Sequence, residues 1–169
     1  LDADIYSRKV LAHNTLASQE IIKRYGTKVV QFNLENQKII NRQELSKIIF
    51  NDAQERIWLE RLVHPLIKNH LLEDLELKEA YKTIILIIPL LFEAKLTDLC
   101  SEIWVVNCTF SQQRERLINR NNLSLQEAEK RIKSQIPLKE KINLADVVID
   151  NSKEVKTWEK QINSLLKNY

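Results

Sequence analysis

The sequence predicts an α/β protein in which helices sandwich a parallel sheet and a helical insertion interrupts the alternation. Three observations lead there. First, Thr83–Ile88, Ile103–Asn107 and Val147–Ile149 are apolar runs rich in β-branched residues. Runs that do not alternate with polar residues read as strands buried on both faces, the pattern of a parallel sheet between helices. Second, helical stretches at 111–120, 124–135, 138–144 and 153–167 separate or follow these runs, and such alternation marks the α/β class. Third, residues 14–78 read as almost entirely helical, in short pieces.

Taken in order, residues 4–25 read as helix with a break near His13-Asn14, where Asn14 is placed to cap the second part. Gly26 stands where a helix C-terminus wants glycine. Val29–Leu34 is a short extended or turn segment. Asn41 caps a helix with Leu45, Ile48, Ile49 and Phe50 on one face. Asn51-Asp52 restarts a helix through Ile57, Trp58, Leu59, Leu62 and Val63, and Pro65 is expected to begin the next one, to about Lys78. There is no internal repeat and no low-complexity linker.

At 169 residues the chain fits one domain, and an apolar fraction of 44% suffices for a core. No apolar run approaches the roughly 20 residues of a membrane span, and no signal-peptide pattern opens the chain. Cys100 and Cys108 lack metal-ligand spacing and read as buried thiols of a cytoplasmic protein. The net charge of +3 does not argue for nucleic acid. Its excess is local, since residues 112–141 hold eight Lys/Arg against four Glu. There is no methionine, and one glycine where average usage gives about twelve. These two facts lead us to expect a further segment before Leu1, because a glycine-rich phosphate cradle cannot come from these residues.

Several polar groups are expected at the carboxyl edge of the sheet, where open α/β sheets place ligands. Asp2 and Asp4 stand immediately before a helical pattern, where the dipole favours negative charge. Either could be a plain N-cap, or a carboxylate facing an attacking hydroxyl. Pro89 stops the strand 84–88 and Glu93 follows it, as a solvated turn residue or a ligand. Arg116 and Arg120, spaced i,i+4, share a helix face and suit phosphate oxygens, although a solvated face is the simpler alternative. Lys130, Arg131 and Lys133 extend the positive field, as in a mobile lid over a polyphosphate. Arg42 opens a helix, and His64-Pro65 sits at an expected helix junction. Asp150-Asn151 ends the last strand, as an Asx-turn or a contact to a base.

Together these pieces resemble the dephospho-coenzyme A kinase family of the P-loop kinase superfamily. The matching stretches are Asp2-Ala3-Asp4 through Arg8, Arg42 through Phe50, Leu62 through Ile67, Pro89 through Glu93, Arg116 through Gln135, and Ala145 through Asn151. They span essentially the whole chain in the family's order. The resemblance implies a P-loop kinase-like fold with a core of 1–13, 79–113 and 136–169, a helical acceptor-binding subdomain 14–78 and a lid 114–135. It implies transfer of the γ-phosphate of ATP, with Mg2+, to the ribose 3′-hydroxyl of dephospho-coenzyme A. Asp4 would orient or deprotonate that hydroxyl, with Asp2 supporting that site or the metal and Arg120 stabilising the moving charge. Arg116, Arg120, Asp150 and Asn151 would bind ATP. Arg42, His64, Pro65, Pro89 and Glu93 would line the acceptor site.

Three departures stand out. Asn121 and Lys153 replace an Asp and a Gly common in the family. The P-loop itself, expected about twenty residues before Asp2, is absent from residues 1–169, so these residues alone are expected to be inactive. The partners expected are small molecules, with no nucleic acid and no membrane. Two rival readings are another P-loop nucleoside or nucleotide kinase and a catalytically dead relative acting as a binding protein.

Overall fold

Asp2 starts the first helix. Its extended backbone and its side chain, which accepts from the Asp4 N–H at 2.8 Å, make it the N-cap of α1 (Ala3–Val10). The structure, a computed structural model, describes residues 1–168 and divides into two compact units, Leu1–Pro89 and Leu90–Tyr169. The helical region 14–78 lies in the first and the expected lid 114–135 in the second. Among the described residues, no helix is long and apolar enough to cross a membrane.

In the first unit, α2 (Leu16–Tyr25) is capped by Thr15, whose hydroxyl accepts from Ser18 N–H at 3.1 Å. Asn14 is not the cap. It sits at φ 59° and accepts from the Gln19 amide at 2.8 Å, a left-handed turn that asparagine tolerates. Gly26 closes α2 at φ 65°, as expected. The segment after it is a hairpin of β1 (Val30–Phe32) and β2 (Lys38–Ile40), antiparallel with Val30 opposite Ile40. Asn33 Oδ1 accepts from the Glu35 and Gln37 N–H groups and closes its turn.

Asn41 caps α3 (Arg42–Asn51) and Asp52 caps α4 (Ala53–Glu76). Pro65 does not begin a helix, since α4 runs through it for 24 residues. A mid-helix proline costs about 3 kcal/mol. Here the apolar row Leu59, Leu62, Val63 and Leu71 continues across it, and packing of that row outweighs the broken backbone bond. Ile21, Val29, Ile40, Leu45 and Leu59 form the buried cluster, with Leu62 and Val63 against it; each fully buried aliphatic contributes about 1.5–3 kcal/mol. Arg24 grips Glu55 with two guanidinium bonds, at 2.7 and 2.9 Å, lies over the Trp58 ring at 4.5 Å, and so ties α2 to α4.

The run Thr83–Ile88 is less of a strand than expected. Its one bridge is Asp2 to Ile87, parallel, with Ala3 N–H donating to Ile87 O at 2.9 Å and Ile87 N–H to Leu1 O at 2.8 Å. Ile85 and Ile87 are exposed while Ile84, Leu86 and Ile88 are half-buried.

In the second unit β3 (Trp104–Asn107) pairs in parallel with β4 (Val147–Asp150), Asn107 opposite Asp150. The crossover between them comprises α5 (Phe110–Asn121), α6 (Leu125–Lys133) and α7 (Leu138–Asn143), and α8 (Val155–Leu165) follows β4. Burial on both faces is not what these strands show. Val105 and Ile149 are buried, but Val106 and Val148 on the other face are 55% and 41% exposed. Capping boxes at Thr109/Gln112 and Ser124/Glu127 start α5 and α6.

Candidate active site

In the first unit the site grows from the anchoring of α1. Ala3, Tyr6 and Val10 turn inward and are buried. The Tyr6 hydroxyl donates to Asp74 on α4, and its ring stacks on His70 with centroids 6.1 Å apart. Burial, reinforced by Asp74, pushes the Tyr6 phenol up to about 12, and the same hydrogen bond holds Asp74 below the usual carboxylate range. With that face fixed, Asp4 and Arg8 point to solvent one helical turn apart.

Two aspartates thus separate in role. Asp2 spends Oδ1 on the helix cap. Asp4, in the first turn, is exposed and its carboxylate has no hydrogen-bond partner among the described residues. It is a negative charge at a helix N-terminus, favoured there by the dipole, with its lone pairs unspent. Arg42, first residue of α3, donates to Ser7 O at 3.3 Å and so reaches the last turn of α1. As a whole the side chain is exposed, yet its guanidinium end is crowded. Desolvation first, then the like charge of Arg8, lower its proton affinity, and Asp4 opposes them. Asp4, Arg8 and Arg42 therefore share one electrostatic neighbourhood.

His64 and Pro65 are not at a helix junction. They lie in the middle of α4, His64 half-buried and Pro65 exposed. Pro89, exposed, ends the first unit just after Ile88.

In the second unit Glu93 is not a solvated turn residue. Its Oε1 accepts from Lys141 Nζ at 2.7 Å and from Ile136 N–H at 3.0 Å. Both side chains are largely buried, and Glu93 Oε2 is buried without a partner among the described residues. The carboxylate is committed to α7, through Lys141, and to the linker that precedes it, through Ile136.

The loop after β4 is held from three sides. Asn151 N–H donates to Asn107 O at 2.8 Å, which extends the parallel ladder. Asp150 Oδ1 accepts from Ser152 N–H at 2.9 Å, an Asx-turn, and the Ser152 hydrogen bonds, hydroxyl first, depress the Asp150 carboxyl. The Gln161 amide on α8 clamps Asp150 N–H and C=O, both at 3.1 Å. From α5, Gln112 donates to Ser152 O at 2.7 Å and Arg116 to Asn151 O at 2.9 Å. The structure therefore brings Arg116, Asp150 and Asn151 together. Arg120, one turn beyond Arg116, is exposed and donates to its neighbour Asn121 at 3.0 Å. Arg114 ties α5 to Glu129 on α6 at 3.2 Å. Desolvation lowers the proton affinity of the Arg131 guanidinium, Glu127 opposes it, and the Arg120 charge adds a smaller lowering, which places Arg120 and Arg131 in one electrostatic neighbourhood.

Sequence reasoning gave no role to Arg8, Gln112, Lys141 or Gln161. Arg8 was visible as the i+4 partner of Asp4, and Gln112 as the third residue after a capping Thr. Lys141 and Gln161 act through contacts 48 and 11 residues away, and nothing in local pattern marks them.

Comparison with known proteins adds an independent line. The family model for dephospho-CoA kinase matches residues 1–157. A dephospho-CoA kinase of Prochlorococcus marinus (strain MIT 9313) is 47% identical over 165 residues, 98% of this chain and 81% of that protein. One from Synechocystis sp. (strain PCC 6803) is 46% identical over 96% of this chain and 79% of its own length. Among solved structures, dephospho-CoA kinase from Campylobacter jejuni superposes with a TM-score of 0.64 at 27% identity, covering 99% of this chain and 82% of that one. A Thermus thermophilus protein at 24% identity gives a TM-score of 0.71, covering 99% and 83% of the two chains, and supports the fold. The chain belongs to the dephospho-CoA kinase family.

Proposed function

We propose that this protein transfers the γ-phosphate of ATP to the ribose 3′-hydroxyl of dephospho-coenzyme A, the last step of coenzyme A biosynthesis, in the cytoplasm. The observation that carries the mechanism is the exposed Asp4 carboxylate, which has no hydrogen bond among the described residues and lies two residues past the cap that fixes its helix. Phosphoryl transfer asks a protein mainly for alignment and charge neutralisation, with one carboxylate to take the hydroxyl proton. Asp4 would take that proton. Arg120, with Arg116, would neutralise charge on the ATP phosphates, and the clamped loop Asp150-Asn151 would border the adenine. The hydrogen bond from Arg116 to Asn151 O supports its part, since it links the phosphate-binding helix to that loop. Arg42 supports the acceptor role given to the first unit, and His64, Pro65, Pro89 and Glu93 remain acceptor-site candidates in this reading.

Magnesium needs few protein donors, because it keeps several waters and binds through one or two carboxylates plus substrate phosphates. Asp2 fits that limited demand with Oδ2, outside its cap bond. When bound, the ion neutralises the phosphate oxygens.

The test is ADP release by the full chain with ATP and dephospho-coenzyme A, beside a panel of nucleosides and nucleoside monophosphates. Turnover that depends on dephospho-coenzyme A is expected. Preference for a nucleoside, or no turnover with any acceptor, would overturn the reading. Asp4→Asn should lower kcat about 10²–10⁴-fold, the usual share of a general base, while ATP affinity holds.

A further inference from the structure

We propose that Arg8 and Arg42 form a cradle for the diphosphate of the acceptor, placed one helical turn from the carboxylate that faces its 3′-hydroxyl. This rests on the kinase reading above and names the part of the substrate that the first unit grips.

The argument starts from α1. Its inward face is fully used by Ala3, Tyr6 and Val10, so the outward Asp4 and Arg8 are set by that packing. Arg42 enters from α3, and its bond to Ser7 O brings a second guanidinium to the turn that carries Arg8. Among the described residues neither arginine has a carboxylate partner within ion-pair distance, whereas Arg24, Arg56 and Arg114 each have one. Two cations gathered without a salt bridge repel each other, and the sign of that field selects an anion. The bond to Ser7 O and the favourable dipole at the end of α1 explain one guanidinium there, but not two. At 1.5 Å per residue, Arg8 stands about 6 Å along the axis from Asp4. That is about the reach across one ribose, from its 3′-hydroxyl to its 5′-phosphates. Guanidinium forks match phosphate oxygens bidentately, and dephospho-coenzyme A carries a diphosphate at that 5′ position.

The experiment uses the full chain as wild type, Arg8→Ala and Arg8→Lys. With Arg8→Ala, KM for dephospho-coenzyme A should rise about 10–100-fold, as expected for loss of a charge-assisted contact, with KM for ATP within about twofold. Arg8→Lys should recover part of the loss. Inorganic pyrophosphate is the direct probe. It should compete with dephospho-coenzyme A in the wild type, and calorimetric titration should show about tenfold weaker binding to Arg8→Ala. A rise in KM for ATP instead, pyrophosphate that competes with ATP alone, or equal pyrophosphate binding to both proteins would overturn the proposal. If Arg8→Ala fails to fold by circular dichroism, Arg42→Lys with the same titration decides. A wild type that ignores dephospho-coenzyme A sinks the kinase reading, while the titration still judges the cradle.

Discussion

Replacing Lys141 by Met separates a structural role for Glu93 from a substrate-binding one. Lys141 Nζ sits 2.7 Å from Glu93 Oε1, and the two side chains are only 11% and 16% exposed. Met fills the volume of the lysine stem, so little packing is lost. What remains is a largely buried carboxylate with one backbone N–H, from Ile136, and a second oxygen without a partner. Removing one member of a fully buried pair costs about 3–5 kcal/mol; the residual exposure and the Ile136 bond bring this to about 2–3 kcal/mol. At about 2–4 °C per kcal/mol for a chain of this size, Tm should fall by about 4–12 °C. Glu93→Gln keeps an acceptor for Ile136 N–H and removes the charge, so the double variant should recover about 1–2 kcal/mol relative to additivity. Thermal and urea unfolding of the four proteins measures this. A Lys141→Met variant within about 0.5 kcal/mol of the parent, or strict additivity, would refute the reasoning. The same set reads function, because a Glu93 that touches acceptor would raise KM in both proteins that carry Glu93→Gln, even where stability is recovered in the double variant.

Three other outcomes are expected. Hydrogen bonds from Arg24 first, then Tyr25, hold Glu55 down to about 2 from 4.5. A depressed carboxyl stabilises the fold above its unfolded value, and that contribution fades as pH falls from about 4.5 toward 2. Glu55→Gln should therefore lower Tm at neutral pH and flatten the acid limb of a Tm-versus-pH curve over that window. Pro65→Ala should raise Tm, since an exposed mid-helix position regains a backbone bond, with up to about 3 kcal/mol available; a lower Tm would show that the proline fits a bend that packing needs. Gln161→Leu should loosen Asp150–Ser152 and raise KM for ATP about tenfold with kcat for saturating ATP little changed, measured by steady-state kinetics.

Legibility in the sequence followed the range of the interactions. The caps at Asn41 and Asp52, the C-terminal Gly26, and the helices after residue 110 depend on neighbours within four residues, and pattern found them. Asn14 failed as a cap because Thr15 beside it does the same work with better geometry. Pro65 misled because a local penalty was outweighed by an apolar row visible only when the helix is seen packed. Strand burial was overstated because an unbroken apolar run gives no sign of which face stays exposed, as Val106 and Val148 do. In the site, the pairing of Arg116 with the Asp150-Asn151 loop was readable as a common sheet edge. The occupation of Asp2 by its cap was one of two alternatives the sequence left open. The commitment of Glu93 to Lys141 was not readable, since it depends on a contact across 48 residues.

The bridge that seats Asp4, the carboxylate proposed as the base, has a consequence for the order of folding. α1 is held by Ile87, 85 positions from Asp2, and by Asp74, 68 positions from Tyr6. The helices of the same unit close over contacts much nearer in sequence, such as α3 on α4. Loop entropy must be spent before distant pairings give anything back, so local helices form early and remote pairings late. Asp4 should reach its working position among the last events, and on dilution from denaturant the helical signal should return before catalysis does.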